Sequence, residues 1–330
     1  MASNEEIQPE EGTGWSDMFR GIRGVYTILL NVGIGVHAID IFVITTVMPA
    51  VVAEIGGVEF YAWTTMLYMV GTIVGAASGQ HARALLGRRK GYVASGLIFL
   101  VGALGCALSP NMAILLLFRT VEGIGGGLLM SQSMTLVNDL YTGRLRTRVL
   151  AAITTTWSIA AVIGPLIGGF WGNFGIWRGA FLTTSVLTLL FILAAWKVVP
   201  ESEKGARQRL PYRRLLLLGT SVILVGASGQ FDDLVLRSGL IVGGVLCLIL
   251  TLRLDRVENN LFPRRVLSLF APVGTAYWVF LLLSAAYTPL TIFLPLALSQ
   301  IYKLEPLWIG YVLTVFSIAW TVGSLGTAGG

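Results

Sequence analysis

Apolar residues run through this chain in blocks of about twenty, broken by short polar stretches, rather than in the alternating stripes of half-buried elements. A block of that length crosses a bilayer core of about 30 Å as a helix. Ten such blocks stand out, at about 25–52, 59–82, 92–109, 111–137, 148–173, 178–199, 213–230, 235–252, 271–298 and 306–327. The pattern predicts an all-α polytopic membrane protein with about ten transmembrane helices. The loop at 200–212, PESEKGARQRLPY, is the longest charged break and separates a six-span bundle from the later spans. Spans seven and eight are short and nearly free of polar residues, apart from Gln230, Asp232 and Asp233 at their turn. Residues 1–19 are polar and acidic, with Glu5, Glu6, Glu10, Glu11 and Asp17, and read as a disordered tail. No short apolar stretch with a small-residue cleavage site comes after them, so the first span reads as an anchor rather than a removed signal.

Composition strengthens that picture. Of 330 residues, 55% are apolar and 12% charged, whereas a soluble domain carries about 25% charged residues. The net charge of +6 could suggest a nucleic-acid partner, but its placement points elsewhere. Nineteen of the basic residues fall before span one or in the loops after spans two, four, six and eight. The opposite loops hold three, Arg178, Arg237 and Lys303, and Arg119 lies within span four. The positive-inside rule therefore puts the N-terminus in the cytoplasm and reduces the basic charge to a topology signal. Cys106 and Cys247 lie far apart inside apolar runs and read as packing residues. Two His and two Cys give no metal-binding spacing.

The chemistry that remains is sparse and lies inside the spans. Asp40 stands about 15 residues into span one, roughly 22 Å at 1.5 Å per residue. His37, three residues earlier, shares its helix face. In LFRTVEGIGGGLLM, Arg119 and Glu122 share a face of span four, and Glu122 falls at almost the depth of Asp40. Ionisable residues cost about 2.5–3.5 kcal/mol each at mid-bilayer on insertion scales, so they mark functional sites by default. If spans one and four adjoin, two carboxylates share a pocket with one guanidinium, a site able to load and unload a proton. A structural ion pair and a backbone-bonded polar seam fit the same residues.

Glycines complete the pattern. GIGGG lacks the strand that a dinucleotide loop needs, and glycines in membrane helices allow close backbone approach. Gly164, Pro165, Gly168 and Gly169 in span five read similarly, with Pro165 adding a kink. Gly75-x-x-x-Gly79 then Gly87 is echoed by Gly164-x-x-x-Gly168 then Gly175, which suits inverted repeats, although chance gives such pairs too. The basic turn GRRKG after span two is either an anchor or part of a gate.

Together these stretches resemble the major facilitator superfamily, in its 14-span drug:proton antiporter branch. IDIFVITTVMP is similar to the first-span signature, with Asp40 and Pro49. FRTVEGIGGG is similar to the fourth-span motif, in which Arg119 takes the position tied to proton coupling. GPLIGGFWGNFGIWRGAF resembles the antiporter motif of span five, spans seven and eight the two helices added between the lobes, and TIFLPLALSQIYKLEPLWIGYVL the start of the second lobe. GQHARALLGRRK keeps Gly79, Gly87, Arg88 and Arg89 of the cytoplasmic gating loop but lacks its Asp. The resemblance implies a major-facilitator-type bundle with a cytoplasmic tail at 1–19, a six-helix lobe at 20–200, a loop and two inter-lobe helices at 201–265, and a second lobe from 266. A 14-span protein would have four further spans, so the second lobe is expected to be incomplete within residues 266–330.

The expected function is secondary active transport by alternating access, as proton-coupled efflux of drugs or other amphipathic organic compounds, in a bacterial inner membrane. Asp40, Arg119, Glu122 and His37 would serve proton coupling. The partners are then the lipid bilayer, a small-molecule substrate and protons, with no cofactor, no metal and no nucleic acid. Two other readings are open: a proton symporter importing a nutrient or organic anion, and a non-transporting receptor or scaffold on the same fold. No Ser/His/Asp or Cys/His arrangement points to an enzyme.

Overall fold

A computed structural model describes residues 15–201, 210–255, 261–263 and 265–327. Among them are ten α-helices: α1 (Gly21–Ile55), α2 (Tyr61–Leu86), α3 (Arg88–Ala107), α4 (Met112–Leu140), α5 (Gly143–Asn173), α6 (Arg178–Val198), α7 (Tyr212–Ser228), α8 (Leu234–Leu254), α9 (Pro272–Gln300) and α10 (Pro306–Thr327). Each stands where the sequence predicts a span. Eight helices, α1 to α6, α8 and α9, are long and apolar enough to cross a membrane unaided. The 17 residues of α7 reach only about 26 Å, and Arg213 and Arg214 sit in its first turn.

Local signals set the ends. The 35 residues of α1 stop at Gly56 and Gly57, whose φ angles of 72° and 80° place the backbone where residues with a Cβ rarely go. Gly87, with φ 79°, makes the tight turn between α2 and α3. Asn111 caps α4 by accepting a hydrogen bond from Ile114 N at 3.0 Å, and Asp233 caps α8 through Leu236 N at 2.8 Å. Residues 1–14 of the expected tail lie outside the described residues, as do 202–209 of the long loop. Trp15–Phe19, assigned to the tail from sequence, instead forms a 3₁₀ turn. Burial of Met18 and a 2.8 Å bond from Thr27 Oγ1 to Met18 O hold it against α1, a contact that a run of acidic residues gives no reason to expect.

Helices α1 to α6 form one bundle. α4 lies between α2 and α3, while α1 packs on α5, α6 and α4, and α3 closes against α6. The α2–α4 seam is made of glycine. A Cβ on Gly75 would overlap the Ile124 carbonyl, and one on Gly127 the Thr72 carbonyl, so the two backbones touch. α10 packs along α5, α9 lies against α1, and α7 pairs with α8 and leans on α2.

Two apolar clusters fill the bundle. One holds Leu30, Ile34, Tyr92, Phe99, Leu136 and Phe191. The other holds Val43, Val47, Leu115, Leu116, Trp177 and Phe181. On α1 the change-over falls between Val36 and Val43, and on α4 between Leu116 and Leu129. Asp40, Arg119 and Glu122 occupy that junction.

Candidate proton site and interlobe pocket

The close approach of α4 to its neighbours brings the charged residues together. Arg119 Nη1 donates to Asp40 Oδ2 at 2.7 Å and to Glu122 Oε2 at 2.7 Å. All three side chains are fully buried. The coincidence of depth read from the sequence is thus a contact between α1 and α4. One guanidinium faces two carboxyl groups, and a single nitrogen serves both. Asp40 Oδ1, Glu122 Oε1 and Arg119 Nε have no hydrogen-bond partner among the described residues. Buried polar atoms in that condition are uncommon and costly.

Three further side chains line this site. The ring of Tyr68, on α2, lies under the guanidinium, with Arg119 Cζ 4.1 Å from its centroid. Its hydroxyl is 2.7 Å from His37 Nδ1. His37 therefore joins the site through Tyr68, without an ion pair of its own to Asp40. Trp157 of α5 meets His37 edge-on, with centroids 6.0 Å apart. Cys106, assigned to packing from sequence, is buried with Sγ 3.5 Å from Glu122 Oε2, so it also faces the charges. Sequence reading missed Tyr68 altogether. The signal available was its spacing: it precedes Gly71 and Gly75 on the helix face that meets α4.

The span-five motif lies elsewhere. A Cβ on Gly168 would lie 2.7 Å from Val43 O of α1, and one on Gly169 would lie 2.9 Å from Pro306 O of α10. Gly164 faces Phe42 and Ile39 O. These glycines let α5 press against α1 on one flank and α10 on the other. Beside them, Pro165 borders a pocket of about 210 Å³ between α1, α2, α5, α9 and α10. Ile41, Phe42, Met69 and Ile292 give it apolar walls, and Tyr287, Thr288 and Thr291 bring hydroxyls from around the proline at position 289 of α9. No charged residue lines it. Trp63 packs on Phe60, outside this pocket, and Trp278 donates to Leu267 O at 3.2 Å.

At the turn between α2 and α3, Arg83 pairs with Asp139 at the end of α4, and Arg88 reaches the same carboxylate at 3.1 Å. Arg89 donates to Val199 O at 2.8 Å and to Glu201 at 3.0 Å. Gly79 O accepts from Gln132 Nε2 at 2.9 Å. The loop lacks an acid of its own, and Asp139 of α4 supplies one.

The chain as a whole is similar to known proteins. A family model described as Major Facilitator Superfamily matches residues 30–329. A protein of Mycobacterium tuberculosis named a probable multidrug-efflux transporter is 30% identical over 334 residues, covering 98% of this chain and 70% of that protein. Multidrug resistance protein 3 of Bacillus subtilis is 25% identical over 311 residues, covering 90% of this chain and 59% of that protein. Among solved structures, a proton:xylose symporter aligns with a TM-score of 0.52 at 18% identity, over 90% of this chain and 68% of the other, a likeness of fold.

Proposed function

We propose that this chain, which belongs to the major facilitator superfamily, exports amphipathic organic compounds, drugs among them, in exchange for protons. It is a multi-pass membrane transporter of small molecules and not an enzyme. The efflux direction is supported by the relatives named for multidrug efflux. The proton partner is supported by one observation above all: Arg119 held between Asp40 and Glu122 in the buried centre of the first bundle.

The chemistry rests on counting charges. With both carboxyl groups ionised, the site carries one net negative charge in a medium of low dielectric. One proton neutralises it. Asp40 Oδ1 and Glu122 Oε1 are the oxygens free to receive that proton, since Arg119 engages the other two. Arg119 keeps its charge throughout and fixes the field. Two coupled carboxyl groups titrate as a pair, so the proton belongs to the site rather than to either residue.

Substrate is assigned to the pocket at Phe42, Pro165, Tyr287 and Thr291, whose apolar walls and few hydroxyls suit an uncharged or delocalised organic surface. Asp40 and Ile41 are adjacent on α1, one facing Arg119 and the other facing this pocket. A shift of α1 therefore acts on both sites at once. Residues 20–200 form the first lobe in this reading, 201–265 the connecting helices, and 266 onward the second lobe, with the N-terminus in the cytoplasm of a bacterial cell and the chain in its inner membrane. The basic turns at 83–91 and 139–148 are then cytoplasmic.

The test is transport in everted membrane vesicles of the full-length protein. An acid interior should drive uptake of a lipophilic cationic dye, a protonophore should abolish it, and Asp40→Asn should do the same while dye binding persists. Uptake indifferent to the gradient, or intact in Asp40→Asn, contradicts proton-coupled export. Uptake driven only by the opposite gradient contradicts export and favours symport.

A further inference from the structure

We propose that Tyr68 is a positioning residue for Arg119, held in orientation by His37, so that the proton affinity of the Asp40–Glu122 pair depends on one hydrogen bond between α1 and α2. The proposal rests on the proton-site reading above and adds to it a part that its carboxylates and arginine do not provide.

The reason lies in how Arg119 is held. A guanidinium that grips carboxylates through two nitrogens has its plane fixed by them. Here both carboxylates pull on Nη1, and Nε has no hydrogen-bond partner among the described residues. Those bonds anchor one end of the group and leave its Nε edge without a polar partner. The flat face of Tyr68, 4.1 Å from Cζ, supports the rest of the group, through cation–π attraction strengthened by full burial.

Tyr68 in turn needs a stop against rotation. Its hydroxyl finds one at His37 Nδ1, 2.7 Å away. A neutral imidazole with its proton on Nε2 accepts the phenol's hydrogen. The two rings lie nearly parallel, 14° apart. α4 makes room for this pair at one residue: a Cβ on Gly126 would overlap the His37 imidazole and lie 3.1 Å from the Tyr68 hydroxyl. Within GIGGG, then, Gly123 and Gly127 admit the backbone of α2, Gly125 admits α3 at Phe99, and Gly126 admits a side-chain pair. Titratable or charged groups facing the pair are His37 and Asp40 from α1, Arg119 and Glu122 from α4 and Cys106 from α3, while α5 contributes the uncharged Trp157.

The experiment measures proton-driven exchange against pH in proteoliposomes of the full-length protein, beside equilibrium dye binding. Tyr68→Phe keeps the ring and loses the hydroxyl, so exchange should slow about fivefold and its pH midpoint move, with dye affinity unchanged. Tyr68→Leu also loses the cation–π contact and should slow exchange about fiftyfold. His37→Gln can still accept the hydroxyl and should stay within about threefold of wild type, whereas His37→Leu and Gly126→Ala should match Tyr68→Phe. A wild-type rate and pH midpoint in Tyr68→Phe, with Asp40→Asn inactive, overturns this inference and leaves the proton site standing. His37→Gln as impaired as His37→Leu overturns the positioning role. Coupling that survives Asp40→Asn removes the proton site and this inference together.

Discussion

Asp40 and Ile41 are neighbours in sequence, yet they serve two unlike regions. On one face of α1 lies a buried site with two carboxyl groups, one guanidinium, a phenol, an imidazole and a thiol. On another lies a pocket of about 210 Å³ with apolar walls, several hydroxyls and no charge. The first sits inside the six-helix bundle and is walled by α1, α2, α3 and α4. The second needs α9 and α10 to close it. On the proposed assignment, charge chemistry and substrate recognition are separated by the thickness of one helix. A drug would then not have to touch the proton site to be coupled to it. The coupling element in that proposal is α1 itself, clamped to α5 by Gly164 and Gly168 and to α4 by the Asp40–Arg119 pair.

If the two regions are independent in chemistry but joined by α1, substitutions should sort by region. The largest effect should come from the charged face. Asp40→Asn should lower proton-driven exchange by about a hundredfold or more, the scale of a lost proton-transfer group, while dye binding persists. Arg119→Lys should recover only part of the wild-type rate, because a point charge cannot reproduce the planar contact with Tyr68. Loss of dye binding in either variant would merge the two regions into one.

Next comes the joint between them. Gly168→Leu would drive a side chain into Val43 O and Thr46, so thermal unfolding of the purified protein should fall by several degrees, in keeping with overpacking costs of about 1–3 kcal/mol. Gly239→Leu on α8 is its control, since a Cβ there meets nothing within 4 Å, and the same measurement should show no change.

A smaller effect belongs to the uncharged face. Tyr287→Phe and Thr291→Ala each remove one hydroxyl from the pocket, so affinity for dyes bearing hydrogen-bonding groups should fall about two- to tenfold. The pH dependence of exchange should not move. The smallest belongs to the turn between α2 and α3, where Asp139→Asn releases partly exposed pairs with Arg83 and Arg88. Such pairs contribute about 0.2–1 kcal/mol, so a thermal shift of a few degrees at most is expected.

Legibility in the sequence divides along the same line. The ten helices were legible because a membrane span needs a long apolar run and cannot hide it. Asp40, Arg119 and Glu122 stood out because a charge in such a run is costly, and the shared depth of Asp40 and Glu122 anticipated the contact between α1 and α4. Tyr68 and Cys106 were not, because an aromatic ring or a thiol in an apolar run is ordinary filler until its neighbours are known. GIGGG announced close approach without saying what approaches, and the occupant at Gly126, an imidazole from α1, is set by tertiary packing alone. Arg83 and Asp139 pair across two helices, a partnership that no local spacing encodes. The 3₁₀ turn at Trp15–Phe19 was hidden by the acidic residues before it, because its order comes from Met18 docking on α1.

The most direct test of the two-region account is to count protons when substrate binds. A weakly buffered sample of the purified full-length protein, with a pH indicator dye, is titrated with an uncharged substrate near neutral pH. The account predicts release of about one proton per substrate bound, from the Asp40–Glu122 pair, and no release from Asp40→Asn, which still binds substrate. Equal proton release from Asp40→Asn and the wild type would contradict it, placing the coupling proton somewhere other than the site that Arg119 holds.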